Sequence, residues 1–431
     1  MHPNLSFEQA PPISVPYRFL LAAPWFGVAA GLLLALAGGE ALQSRWTPEL
    51  LALTHLIVAG FMLQAMTGAL FQFIPVAVGG NVWRPLWMAN CVQPLLLVGV
   101  VLLASGFWFA VPLLLRLAVP AFILGVGMLA GVVLMALWRT PATGMTLWTM
   151  RIALAGLVVT VLLGAVLAES LARGVALPLA ELTNVHLAWG LAGLALMLLA
   201  AVSYFVVPMF QLTKPYPLWF ARGFGPTLLV ALLLWSPIAL APQGTAASVI
   251  GLLLLLLCAS FAGMTLWLQF TRRRKVEDPT SLNFRVAMLS MLATAVSGTL
   301  TVLWPASGDD PRAMVWLGML ILPGVFVSTI SGMMYKILPF LNWLHLQRLG
   351  APISAVPNMK KMIPGDRMTN QFRLHVVSLL LLLAAVWLPA LARPAGLCFA
   401  ASCGWLGWNL VLSLRSYSEF RDRIRASVAH H

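Results

Sequence analysis

The sequence predicts an all-α polytopic membrane protein, and three observations carry that prediction. Hydrophobic residues make up 61% of the 431-residue chain and charged residues only 9%, where an ordinary soluble domain carries about 25% charge. Apolar runs of about 20 residues, the length that crosses the hydrocarbon core as a helix, recur from end to end. The chain also repeats its own landmarks at a fixed interval, as repeat architectures do.

The runs place twelve transmembrane helices near residues 18–42, 47–77, 85–107, 110–138, 147–171, 178–210, 218–241, 246–271, 285–305, 313–340, 373–391 and 394–414. No domain-sized polar stretch is left over, so residues 1–431 read as a single transmembrane domain. The opening "MHPNLSFEQAPPISVPYR" has no basic start leading into a short apolar core, and no cleaved signal peptide is expected.

The net charge of +14 suggests a nucleic-acid partner only until the charges are placed. With the N-terminus inside, the outward segments hold just Arg45, Arg173, Arg312 and Arg393, and Arg116 and Lys336 fall within helices. The remaining Lys and Arg residues lie on the cytoplasmic side, the positive-inside distribution, with both termini cytoplasmic. The "RRRK" run at 272–275 then reads as a topology anchor. The expected environment is a lipid bilayer and the expected partners exclude nucleic acid. The four cysteines, Cys91, Cys258, Cys398 and Cys403, fall in helices without CxxC spacing and read as small core residues.

Three units of four helices emerge from the landmarks. An arginine opens a helix in "YRFLLAAPWF", "MRIALAGLVV" and "FRVAMLSMLA", at Arg18, Arg151 and Arg285. A proline closes a later one in "FQFIPV", "SYFVVPMF" and "YKILPFL", at Pro75, Pro208 and Pro339. Both sets recur at a period near 133 residues. Each proline is preceded seven residues earlier by Gly68, Ala201 or Gly332, small residues that let helices approach closely. The same helices open at Pro48, Pro178 and Pro311, where proline is tolerated. The units span approximately 18–138, 147–271 and 285–414.

This repeat gives meaning to the few polar side chains inside the spans. His55 lies in "THLIVAGFMLQAMTGALFQFIP" and His186 in "HLAWGLAGLALMLLAAVSYFVVPMFQ". Counted back from the closing prolines they occupy nearly the same place, and Leu317 and Met319 hold that place in the third copy. The three positions are expected to converge on a shared interior. An ionisable side chain within a bilayer is costly unless it pairs or binds something.

At these residues the chain resembles the catalytic subunit I of the heme-copper oxidase superfamily. The two fragments just quoted are similar to its second and sixth helices, and "GVFVSTISGMMYKILPFL" to its tenth. The nitric-oxide reductase and C-type oxidase branches are nearest, with the NnrS-like nitric-oxide response proteins a related alternative. The resemblance implies twelve helices in three arcs of four, both ends cytoplasmic, in a bacterial inner membrane. It implies a low-spin heme b ligand at His55 and a copper ligand at His186. The paired tenth-helix histidines of that superfamily are here Leu317 and Met319, and the seventh helix, "PLWFARGFGPTLLVALLLWSPIALA", has no histidine. What is implied is therefore a heme-binding scaffold without a complete heme-copper centre, with Met319 as a thioether axial ligand and copper reduced to a marginal expectation.

Alternatives remain at each position. His55 also suits a buried histidine bonded to a neighbouring helix, His186 a second heme or substrate contact, and Met319 a gap filler. Arg116 could pair with a heme propionate or bond backbone carbonyls. Lys336 is expected to snorkel, and His345 and His375 to sit at the cytoplasmic interface as a second metal site or as ordinary interfacial histidines. Gln64, Gln72, Tyr204 and Tyr335 suit a polar route or helix–helix hydrogen bonds. The 12 acidic residues lie near helix ends or in loops, which disfavours proton pumping. The reading is a heme-binding protein of electron transfer, gas response or heme handling, with an electron-donor protein or partner subunits. The alternative is a transporter or chaperone for a small solute or metal, with broken helices near Pro75–Gly80 and Pro323–Gly324.

Overall fold

Helix starts are written plainly in the sequence. Thr47, Asp278 and Asp310 each precede a proline, and each side chain accepts a hydrogen bond from a backbone N–H of the first turn it caps. Proline as the first helical residue gives up an N–H that would have no partner there.

A computed structural model describes residues 9–141, 143–241, 244–272, 278–304, 310–349, 356–359 and 362–429. Among them twelve helices are long and apolar enough to cross a membrane. They are α1 Ser14–Leu42, α2 Pro48–Val78, α3 Pro85–Trp108, α4 Pro112–Arg139, α5 Met145–Arg173 and α6 Leu179–Gln211. The rest are α7 Leu218–Ala239, α8 Thr245–Phe270, α9 Pro279–Leu303, α10 Pro311–Gln347, α11 Gly365–Trp387 and α12 Pro389–Ala426. The protein is an all-α polytopic membrane protein. Of the basic run at 272–275, only Arg272 lies within the described residues, and Asp309, Lys360 and Lys361 lie outside them.

The first eight helices end within a few residues of expectation, whereas several in the last third run longer. α9 starts at Pro279, α10 reaches Gln347 and α11 starts at Gly365. These added turns, such as "GDRMTNQF", are polar, and hydropathy registers only the part of a helix that meets hydrocarbon. Pro208 and Pro339 do not close their helices. They lie inside α6 and α10, which neighbouring helices make tolerable in a membrane bundle.

Three neighbour relations recur along the chain. α1 packs on α2, α5 on α6 and α9 on α10; α3 on α4, α7 on α8 and α11 on α12; α4 on α5, α8 on α9 and α12 on α1. The last of these joins the end of the chain to its beginning. α2, α6 and α10 are the most deeply buried of the twelve. Small residues permit the contacts. A Cβ on Gly31 or on Gly396 would fall 2.5 Å from the other's carbonyl oxygen, so α1 and α12 cross backbone to backbone. A Cβ on Gly68 would meet the Pro16 carbonyl at 2.9 Å, and one on Gly332 would meet Asn283 at 2.7 Å.

Buried amides tie the last helices together. Asn342 on α10 accepts from Tyr17 on α1 and donates to Ser413 Oγ on α12 at 3.0 Å. Tyr335 on α10 accepts from Asn409 at 2.9 Å and donates to Gln371 on α11 at 3.2 Å. Such bonds contribute about 0.6 kcal/mol each in a membrane bundle.

Candidate functional site

The three innermost helices are not α-helical throughout. α2 ends in a π-helical turn at Ile74–Val78, and a matched set of such turns occupies Leu56–Met62 in α2, Trp189–Leu196 in α6 and Leu320–Val327 in α10. Their first residues are spaced along the chain as Pro75, Pro208 and Pro339 are. His55 and Met319 directly precede their π segments, and His186 ends three residues short of its own. π turns are uncommon and are frequent at functional sites.

The structure brings His55, His186 and Met319 together as lining of one interior cavity of about 770 Å³. That volume falls within the roughly 300–1,000 Å³ typical of ligand and cofactor pockets. Leu317 also lines it, with aliphatic and aromatic side chains from α2, α5, α6 and α10 making up most of the wall.

Each imidazole is oriented by the backbone. His55 Nδ1 lies 2.7 Å from the Leu51 carbonyl oxygen one turn back, and its ring stacks on Phe107 at 5.1 Å. His186 Nδ1 lies 3.0 Å from the Thr160 carbonyl oxygen on α5. Gly164, also on α5, makes room for that ring, since a Cβ there would stand 3.1 Å from His186 Cε1. With the proton on Nδ1 and donated to a carbonyl, Nε2 keeps its lone pair, the arrangement that orients histidine as a ligand to metal. Neither Nε2 has a protein partner among the described residues.

Arg45, in the connection between α1 and α2, reaches the same cavity. Its Nη1 donates to Asn184 Oδ1 on α6 at 2.8 Å, and its guanidinium stands 4.7 Å over the Trp46 ring. Burial lowers its pKa. Among the described residues no carboxylate pairs with it. Sequence reasoning passed over Arg45. Its signal was its position, as one of few cations expected on the outward side.

A smaller cavity of about 150 Å³ lies between α2, α6 and α10 and shares Met66 and Ala195 with the larger one. Matched stripes form its wall, with Met66, Ala69, Phe73 and Val76 answered by Leu199, Val202, Val206 and Met209, and by Ile330, Met333, Ile337 and Phe340.

The other candidates fall elsewhere. Arg116 does not line the cavity; its Nε lies 3.9 Å from Glu169, which Arg173 also engages at 2.5 Å. Arg116, outside the cavity lining, is thus not placed to meet a propionate held in that chamber. Lys336 extends to the first turn of α9, where its Nζ donates to the capping Asp278 at 2.6 Å. His375 is not interfacial but only 1% exposed, with Nε2 2.7 Å from Ser328 Oγ, a core histidine satisfied by α10. Tyr335 and Gln371 bond across helices, and Gln72 lines the smaller cavity.

A heme needs an imidazole lone pair, an apolar chamber and a partner for its carboxylates. His55 and His186, the volume and Arg45 fit those demands, with the Met319 thioether in the same wall. Copper needs several nitrogen or sulfur ligands in close array. Among the described residues no three His, Cys, Asp or Glu side chains are so placed, and His55 and His186 are the only imidazoles lining the cavity. Fold and site together define a polytopic helical membrane protein with a histidine-bearing interior chamber. No family model matches the chain, and no curated protein matches it.

Proposed function

We propose that the protein binds one b-type heme within the 770 Å³ cavity, where His55, with Met319 or His186, would hold the iron. The observation that carries this reading is the pair of imidazoles, each held through Nδ1 by a backbone carbonyl, lining one large apolar chamber. A bound heme supplies a one-electron couple or a gas-binding iron. The chain's own residues hold the ring, exclude water from it and set its axial ligands. The corresponding roles are electron transfer, nitric-oxide or oxygen response, or heme handling, in a bacterial inner membrane with both termini cytoplasmic. An electron-donor protein or partner subunit completes such a role.

The absorption spectrum of the purified protein, as isolated and after titration with hemin, tests this directly. One equivalent of hemin giving a low-spin b-type spectrum supports the proposal. A colourless protein that takes up no hemin sinks it.

A second reading, transport of a small solute or metal, draws on the smaller cavity continuing between α2, α6 and α10. It requires the chamber to open alternately to the two sides. Cysteine accessibility at Ala69 and Thr183, probed from each face of sealed vesicles, distinguishes it from a static heme pocket.

A further inference from the structure

The larger cavity is apolar over nearly all its wall, yet a cation stands in it. Among the described residues no carboxylate lies within ion-pair distance of Arg45; Glu169 engages Arg116 and Arg173, and Asp310 engages Arg312 at 2.7 Å. One of its five N–H donors is used by Asn184, leaving donors in the planar fork that matches a carboxylate. Asn184 stands two residues before His186 on α6, so the guanidinium is fixed with respect to an imidazole of the same chamber. A partly desolvated, always-charged group without a counter-ion is costly unless something supplies one.

We propose that Arg45, braced by Asn184, is a carboxylate-binding subsite of this cavity, and that the natural ligand has an apolar body ending in a carboxylate. On the heme reading, on which this inference rests for the identity of the ligand, the group is a heme propionate. A fatty acid offers the same chemistry from another source. Trp46, against which the guanidinium lies, lines the same cavity and limits the rotation of the fork.

The test compares hemin with hemin dimethyl ester, which keeps the iron and ring but has no carboxylate. Both are titrated into the full-length protein in detergent, alongside Arg45→Gln and Arg45→Lys, with spin-labelled stearate as a third probe. Wild type should bind hemin at least about tenfold more tightly than the ester, the scale of a charge-assisted hydrogen bond. Arg45→Gln should erase the preference, Arg45→Lys should restore part of it, and the ester should bind Arg45→Gln as it binds wild type. That last comparison separates a lost contact from a damaged fold. If wild type takes hemin and ester equally, the Arg45 subsite is wrong while the heme reading stands. If neither porphyrin binds, the heme reading fails. Saturable stearate binding that Arg45→Gln abolishes would then sustain the carboxylate subsite alone, and its absence would end both.

Discussion

The ring of His186 on α6 is held by α5, through a 3.0 Å contact between its Nδ1 and the Thr160 carbonyl oxygen. The orientation of a residue expected to act on a ligand is therefore set by the packing of two helices and not by its own rotamer alone. Gly164, one turn along from Thr160, makes that packing close enough.

Gly164→Ala is expected to push the ring. The added methyl would stand 3.1 Å from His186 Cε1, a distance that one of the two groups must relieve by a few tenths of an ångström. The heme spectrum should change while the fold survives, with a stability cost of about 1 kcal/mol or less. Unchanged reduced-minus-oxidised spectra and unchanged hemin affinity would place His186 outside the iron's coordination sphere.

His55→Ala should lose heme more severely than the roughly 10- to 100-fold that loss of a ligand's supporting partner costs. On the proposed heme binding, the variant would lose the ligand itself from a desolvated site. Hemin titration of the variant measures this. Retention at wild-type affinity with a six-coordinate spectrum would remove His55 as a ligand.

Met319→Leu distinguishes the two axial arrangements. Met319 is 9% exposed and lines the chamber, and leucine matches its volume without the sulfur. With a thioether ligand, the ferric form should lose its near-infrared sulfur-to-iron band and its potential should fall, because Met ligation raises it. With His186 as the second ligand, the band should be missing from wild type and the potential should not move.

Catalytic turnover of oxygen or nitric oxide is not expected from the isolated chain. Leu317, which cannot ligate iron, lines the chamber, and no triad of His, Cys, Asp or Glu is assembled among the described residues. An electrode assay with a strong artificial donor checks this. Sustained consumption that vanishes in His186→Ala would overturn it.

Asp278 serves two purposes, capping α9 through Ser281 N at 2.9 Å and pairing with Lys336 at 2.6 Å. Asp278→Asn keeps the cap and loses the pair, which at about one-third exposure contributes up to about 1 kcal/mol. Asp278→Ala loses both, and the cap adds about 1 kcal/mol. Thermal unfolding in detergent should rank wild type above Asn above Ala. Equal midpoints for Asn and Ala would show that the cap contributes nothing.

Helix count and most helix ends were legible because hydropathy is a local property. His55, His186 and Met319 could be grouped because the repeat aligns them. The partners were another matter. His375 meets Ser328 across 47 residues and Lys336 meets Asp278 across 58, and nothing in either segment announces the other. Arg45 was missed for the same reason, because its significance comes from Asn184 on a different helix. The π turns were illegible for a further reason. Leu56–Met62 reads "LIVAGFM", a run equally at home in an α-helix, and its hydrogen-bond pattern is decided by what packs around it.

Those wide turns also set the angular phase between the two halves of each inner helix. A π turn closes its hydrogen bond one residue later than an α turn, so it absorbs a residue that an uninterrupted helix would have to express as rotation. Removing one residue between Leu56 and Met62 would let α2 become regular while its two halves kept their facing. Gly68 would stay seated on Pro16 and His55 beside Phe107, but the widened turn between them would close. Composition, hydropathy and topology would all be preserved. Single-residue deletions in these π segments therefore remove the widened turns without turning the lining residues away, which substitutions at the lining positions cannot do.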